Sequence, residues 1–169
     1  VLDIGTGSGV IPITLNIYFP DFKIDAIDIN KKSIRTARKN NSKHAINKNV
    51  NFIHRDIKKY CPAERYNLLI SNPPYIESHL VKELRRKNLI SDPVISLDGG
   101  NNGLKFYKII AGFAKSYLLE NGDIILEHGI GQREKIIDIF NKRDYDIINI
   151  YDDLSGIDRI LFLRKKCTQ

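Results

Sequence analysis

Short apolar runs alternate with longer amphipathic stretches along most of this chain. Leu2-Asp3-Ile4 reads as the end of a buried strand, Gly5 to Gly9 as a glycine-rich turn, and Val10 to Phe19 as an apolar helix. Pro12 sits near that helix's start, where a missing N–H costs little. Ile24 to Ile29 is a second strand, and Asn30 is placed to cap a helix from Lys31 to about Asn41, with Ile34, Ala37 and Arg38 on one face. Val50 to His54 and Tyr66 to Ser71 follow as strands, then a short helix near Ser78 to Arg86 and a long loop reaching Asn102. A helix from Leu104 to Leu119 spaces Phe106, Ile109, Ile110, Phe113 and Tyr117 for one buried face. Asn121-Gly122 turns the chain into a strand from Asp123 to Glu127, and Gln132 to Arg143 forms the last helix. Two final strands, Asp146 to Tyr151 and Arg159 to Leu163, are joined through Leu154-Ser155-Gly156 in a hairpin-like connection.

This alternation predicts an α/β fold of Rossmann-like type. Its sheet would be mostly parallel and seven-stranded, with helices on both faces and an antiparallel hairpin at one edge. Open sheets of this kind bind ligands outside the carboxyl ends of their strands. Gly5-Thr6-Gly7, Asp28, Asp56 and Asn72 all fall at such ends, and their convergence makes one site out of weak signals. The glycines run as G-x-G-x-G, with Val10 where a dinucleotide loop of G-x-G-x-x-G would carry its last glycine. Asp28 can take ribose hydroxyls, which suits NAD and S-adenosylmethionine alike. Asp56 is placed to reach an adenine amino group, although taken alone such a residue is more often a helix cap.

Ser71-Asn72-Pro73-Pro74-Tyr75, directly after Leu68-Leu69-Ile70, carries the sharpest signal. Each proline fixes its φ and lacks an N–H, so a strand ladder stops here, and the residue before each proline is pushed towards an extended conformation. The result is a rigid turn whose carbonyl oxygens are free to accept, beside a carboxamide and a flat aromatic ring. That set suits a planar substrate carrying an NH2 group: two acceptors hold its two protons while the ring stacks on it. The plainer alternative is a Pro-Pro turn with a buried tyrosine.

Composition narrows the setting. A chain of 169 residues fits one domain with a real core. It carries no Met and opens at Val1 inside an apparent strand, so the start of that strand is expected to lie upstream. Cys61 and Cys167 are the only cysteines, without a CxxC pair or a histidine cluster, so no metal site is expected and a reducing cytoplasm is the natural compartment. No apolar run is long enough to span a bilayer, and no membrane partner is expected. The formal net charge of +7 invites nucleic acid or a ribosomal, RNA-rich setting. Much of the excess sits in Lys31-Lys32, Arg38-Lys39, Arg85-Arg86-Lys87 and Arg164-Lys165-Lys166, in a chain rich in Lys, Asn and Ile, so compositional bias is the competing explanation. His79 and His128 show no general-base pattern; His128, at a strand end, reads as structural, and Glu127 either shapes the site or supports it.

Asp3-Ile4-Gly5-Thr6-Gly7-Ser8-Gly9 together with Ser71-Asn72-Pro73-Pro74-Tyr75-Ile76 resembles the class I S-adenosylmethionine-dependent amino-methyltransferases. Asp92-Pro93-Val94-Ile95-Ser96-Leu97-Asp98-Gly99-Gly100, Gly103-Leu104, Tyr107, Glu127-His128-Gly129 and Gly156-Ile157-Asp158-Arg159 narrow the resemblance to the PrmC/HemK proteins. Asp92 stands where that family more often has Glu. The resemblance implies S-adenosylmethionine as cofactor, held by Asp3, Gly5, Thr6, Gly7, Gly9, Asp28, Ile29, Asp56 and Asn72. It implies catalysis by Asn72, Pro73 and Tyr75, with Pro74 beside them at the substrate. The implied reaction methylates the side-chain amide of the glutamine in the Gly-Gly-Gln motif of a peptide-chain release factor, which is then the partner. The loop from Asp92 to Gly103 would line the peptide-side entrance, and an amino-terminal helical domain is expected upstream. The oligomeric state is open, with a monomer the simplest expectation. An adenine-N6 or guanine-N2 methyltransferase acting on DNA or RNA is the alternative; a non-catalytic dinucleotide-binding module is disfavoured by the glycine spacing.

Overall fold

The computed structural model describes residues 1–44, 49–91, 93–141 and 144–167. Its first strand, β1 (Leu2–Ile4), is buried at every position, because parallel neighbours flank it on both edges. On one side lies β2 (Ile24–Asp28), followed by β3 (Val50–His54); on the other lies β4 (Tyr66–Ser71), followed by β5 (Leu118–Glu127). β7 (Asp158–Lys165) inserts antiparallel between β5 and the edge strand β6 (Tyr145–Asp152). The order β3-β2-β1-β4-β5-β7-β6 gives the expected seven strands and the antiparallel edge pair. Winding reverses between β1 and β4, and a ligand crevice opens where it does so.

Among the described residues, five helices cover the sheet: α1 (Val10–Tyr18), α2 (Lys31–His44), α3 (Ser78–Arg86), α4 (Lys105–Tyr117) and α5 (Arg133–Asn141). Successive residues of a strand point to opposite faces. Ala26 and Ile27, neighbours on β2, accordingly belong to different apolar clusters. Ala26 packs with Ile13, Ile34, Ala37 and Phe52 beneath α1 and α2. Ile27 joins the larger cluster, in which Tyr107, Ile110, Ile136 and Phe140 of α4 and α5 meet Leu69, Leu126 and Leu161 of the sheet. Asn30 caps α2 as its position predicts, its Oδ1 accepting the Lys32 N–H at 2.9 Å. Among the described residues, no helix is long and apolar enough to cross a membrane.

Two expectations change. α4 buries Tyr107, Ile110, Ala111, Phe113 and Ala114, so its core stripe is turned away from Phe106. The reason is polar: the Tyr107 hydroxyl donates to the Glu127 carbonyl at 3.0 Å, which satisfies it inside the core and leaves Phe106 facing a cavity. β5 begins at Leu118, well before Asp123. Tyr66 pairs with Leu118 but Leu68 with Asp123, so the intervening β5 residues bulge out around Asn121, which has φ 58°. The predicted turn is thus present within the strand's span. The long loop after α3 is present as expected; its described residues include one 3-10 turn, Val94–Ser96, and Asp98 pairs with Ile76 as a parallel bridge.

Gly9, with φ 84°, is the residue before α1, and a Cβ there would stand 2.9 Å from the Ala37 Cβ. Its bareness therefore sets how closely α2 approaches α1. Gly5 shares the positive φ, at 76°, but faces open space. Gly9→Ala is expected to destabilise by roughly 2–4 kcal/mol, left-handed strain plus overpacking, against ~1–2 kcal/mol for Gly5→Ala. Urea melts of the two variants read the difference; equal losses would mean that the α1–α2 contact is soft.

Candidate active site

Ile4 pairs with Ser71 across β1 and β4, and the buried Ser71 hydroxyl donates to the Ile4 carbonyl at 2.7 Å. The glycine loop and the Asn-Pro-Pro-Tyr turn therefore leave the sheet side by side. Gly5 and Thr6 both donate their N–H groups to the Ile27 carbonyl, at 2.9 and 3.0 Å, which bends the loop over β2. Asp28 then holds it: its two carboxylate oxygens accept the Gly7 N–H at 2.9 Å and the Asn30 N–H at 2.7 Å.

A cavity of ≈ 350 Å³ opens over these strand ends. Gly5, Gly7, Asp28, Ile29 and Asp56 line one side; Asn72, Pro73 and Pro74 line another; Ile95, Ser96, Lys105 and Phe106 close it. Asp56 also caps the 3-10 turn at Ile57–Lys59 through the Lys58 N–H, as the capping reading expects. A smaller cavity of ≈ 170 Å³ lies against the turn's other side, lined by Asn72 to Ile76 with Ser96 and Leu97. Asn72, Pro73, Pro74 and Ser96 border both spaces. The Asn72 side chain is exposed and, among the described residues, makes no hydrogen bond; nor do the Pro73 and Pro74 carbonyls accept one. Three acceptors thus stand free at the junction of two cavities.

Three of the residues named for the cofactor do not border the larger cavity. Gly9 serves helix packing, as above. Thr6 is buried in the loop. Asp3 lies 1% exposed, with no hydrogen bond completed to either carboxylate oxygen. Burial pushes its carboxyl up to about 7; the nearby Thr6 hydroxyl, not aligned as a hydrogen bond, opposes the rise, and the Asp28 charge adds to it. His128 is fully buried, its Nδ1 3.1 Å from the Gly129 carbonyl and its Nε2 4.0 Å from the Asp158 carboxylate, which fits the structural reading. Asp92 lies outside the described residues. Among those described, no cluster of His, Cys, Asp and Glu could hold a metal ion.

Several contributors escape a reading by motif. Gln132 spans two backbones: its Nε2 donates to the Tyr75 carbonyl at 2.9 Å and its Oε1 accepts the Gly129 N–H at 3.1 Å. A Gln three residues beyond a strand-end Gly can reach back in this way, which is the only local signal for it. Asp98 accepts from the Ser78 hydroxyl at 2.6 Å and the Gly100 N–H at 2.8 Å; those bonds, the first above all, hold its carboxyl below the usual carboxylate range. Gly99 passes so close to the turn that a Cβ would stand 2.8 Å from the Pro74 carbonyl. These contacts fasten residues 93–103 over the site.

The strand order, the glycine loop and the acceptor-rich turn at adjoining strand ends define a class I methyltransferase. The chain belongs to the methyltransferase small domain family, which matches residues 1–103. It is 37% identical over 161 residues to the bifunctional methyltransferase of Rickettsia typhi, covering 95% of this chain and 31% of that one. It is 35% identical over 165 residues to the release factor glutamine methyltransferase of Coxiella burnetii, covering 98% and 58%. The chain thus spans about a third to three fifths of these relatives. A crystal structure of a methyltransferase from Pyrococcus furiosus superposes with a TM-score of 0.75 at 19% identity, over 98% of this chain and 74% of that one, and so shares the fold.

A carboxyl raised from 3.8 to about 7 makes folding less favourable as pH climbs. Below about pH 4 both states are protonated; between there and about 7 only the folded state is, and above 7 the full cost of burying the anion is present. Asp3→Asn removes that dependence. The stability of Asp3→Asn relative to wild type, without ligand, should rise by up to ~4 kcal/mol between pH 4 and 8. Denaturant melts across that range measure it, and a flat difference would show that Asp3 is not held as a buried acid.

Proposed function

We propose that this domain transfers the methyl group of S-adenosylmethionine to the side-chain amide nitrogen of a glutamine, in the Gly-Gly-Gln motif of a peptide-chain release factor. The observation that carries the reading is Asn72, an unengaged carboxamide at the junction of the two cavities. The larger space takes the cofactor and the smaller one the acceptor.

The donor set fits S-adenosylmethionine. Asp28, fixed by Gly7 and Asn30, presents carboxylate oxygens to a ribose. Asp56 and the apolar Ile29 and Phe106 suit an adenine edge and faces. The partnerless Asp3 carboxyl beneath the glycine loop, which burial keeps from ionising easily, would ionise beside a cationic amino group and pair with it. When bound, the cofactor supplies a sulfonium-activated methyl: the acceptor nitrogen's lone pair forms the new C–N bond while the C–S pair returns to sulfur.

An amide nitrogen is a poor nucleophile because its lone pair is delocalised into the carbonyl. The Asn72 Oδ1 and the Pro73 carbonyl accept its two N–H bonds, raise electron density on nitrogen and aim the lone pair across the junction. Tyr75 packs on the planar amide. Alignment of this sort lowers a barrier by several kcal/mol, up to ~7–11 in ideal cases. The nitrogen becomes acidic as it gains the methyl, so its proton leaves to solvent without a strong base, consistent with a buried His128 turned away from the site.

The rim supports a protein acceptor. Ile95 is 50% exposed and Ile130 67%, and both flank the turn, Ile130 next to the Gly129 that packs on Tyr75. Exposed apolar side chains suit a protein loop better than a phosphate backbone. The exposed Arg55, Lys58 and Lys105 around the larger cavity favour the competing nucleic-acid reading; here they assist encounter, making association salt-sensitive without choosing the methylated atom.

Two measurements test this. Asn72→Ala should lower turnover by about 10²–10³, the cost of one aligned polar group at a developing charge, with little change in S-adenosylhomocysteine affinity. Parallel losses in both would make Asn72 a structural residue. Offered a folded release factor, its Gln→Ala variant, duplex DNA and ribosomal RNA with labelled cofactor, the protein should label the unaltered release factor alone. Label in nucleic acid instead would overturn the glutamine reading.

A further inference from the structure

Gln132 borders neither cavity, yet it holds the Asn-Pro-Pro-Tyr turn from behind. We propose that Gln132 is a positioning residue for methyl transfer, whose carboxamide sets Tyr75, and through it the Asn72 and Pro73 acceptors, relative to the end of β5. The inference rests on the reading of that turn as the catalytic element.

Pro73 and Pro74 have no N–H, so the middle of the turn offers no backbone donor to anchor it. Downstream it is stitched at Ile76, whose N–H donates to the Leu97 carbonyl at 3.0 Å and whose carbonyl accepts the Gly99 N–H at 2.8 Å. Both partners lie in the loop over the site, not in the sheet. On the downstream side the Tyr75 carbonyl is the attachment nearest the acceptors, and its donor is Gln132 Nε2, from the residue before α5. The other end of the same carboxamide accepts the Gly129 N–H just beyond β5. One side chain therefore ties the turn at the end of β4 to the β5–α5 connection.

The fit is close. A Cβ on Gly103 would collide with Gln132 Nε2 and the Tyr75 carbonyl oxygen. A Cβ on Gly129 would stand 3.0 Å from both Gln132 Oε1 and the Tyr75 ring. Two bare backbones thus pack against the carboxamide, and Gly129 against the ring as well. The two bonds also demand opposite roles, one donor and one acceptor, so only a carboxamide of this length satisfies both. A carboxylate would keep the Gly129 bond and turn an oxygen against the Tyr75 carbonyl; protonated, it could donate again.

That difference provides the test. Gln132→Glu preserves size, and Gln132→Met removes both bonds. At about pH 7.5, where a glutamate of ordinary pKa near ~4.3 is ionised, Gln132→Glu should turn over roughly 10–100-fold more slowly than wild type. Its S-adenosylhomocysteine affinity should stay within about twofold, because Gln132 lies outside the cofactor cavity. The deficit relative to wild type should shrink as pH falls towards 5, whereas Gln132→Met should show no such recovery. Turnover is read on whichever acceptor the wild-type protein labels, so failure of the glutamine reading leaves this comparison intact. The aromatic NMR signals of Tyr75, assigned with Tyr75→Phe, should move in both Gln132 variants while the rest of the spectrum persists. This readout needs no acceptor and decides alone if none is labelled. Wild-type turnover in Gln132→Glu at pH 7.5, or unmoved Tyr75 signals, would overturn the proposal.

Discussion

The pairing of β1 with β4 is the constraint on which everything functional here depends. Neighbouring strands lie about 4.8 Å apart, so opposing Ile4 to Ser71 fixes how far the glycine loop stands from the acceptor turn. A slip of one residue would point Ser71 to the other face, lose its buried bond to Ile4 and carry Asn72 away from the junction of the cavities. Burial enforces the register: β1 has no exposed residue, and Leu2 and Leu69, which face each other, are both fully buried. The geometry of the site is thus a by-product of core packing.

A second layer of control comes from backbones that come closer than side chains would permit. Gly9 lets α2 settle against α1, Gly99 lets the covering loop lie on Pro74, and Gly103 and Gly129 make room for the Gln132 carboxamide. Asp98 performs the matching polar task, drawing Ser78 and Gly100 together on one carboxylate. The covering loop is therefore held by bonds at its base, while Ile95 and Ser96 remain turned to the cavities.

Much of this could be read from the chain because the signals were local. Strand ends marked by Gly5, Asp28, Asp56 and Asn72 follow from apolar runs that stop, and the sheet's alternation follows from helix and strand periods. What could not be read depended on partners far away in sequence. Periodicity does not distinguish Phe106 from Tyr107 on α4; the Glu127 carbonyl, twenty residues on, decides which ring goes inside. The bulge in β5 arises from pairing with Tyr66, which no local pattern reports. Gln132 looked like an ordinary helix start, since its meaning lies in a carbonyl fifty-seven residues earlier. Asp3 showed its charge in the sequence but not its isolation, which only burial creates.

The polarity of the turn has a consequence of its own. Pro73 and Pro74 strip two N–H groups from the segment, and the free groups at the junction, as Asn72 is used here, are all acceptors. Such a surface acts as a one-way filter: a ligand must donate to be held. A carboxylate would set anionic oxygen against the proline carbonyl oxygens, whereas a planar group that still carries its NH2 meets them with hydrogens. Two missing backbone hydrogens thereby bias the junction towards ligands that donate.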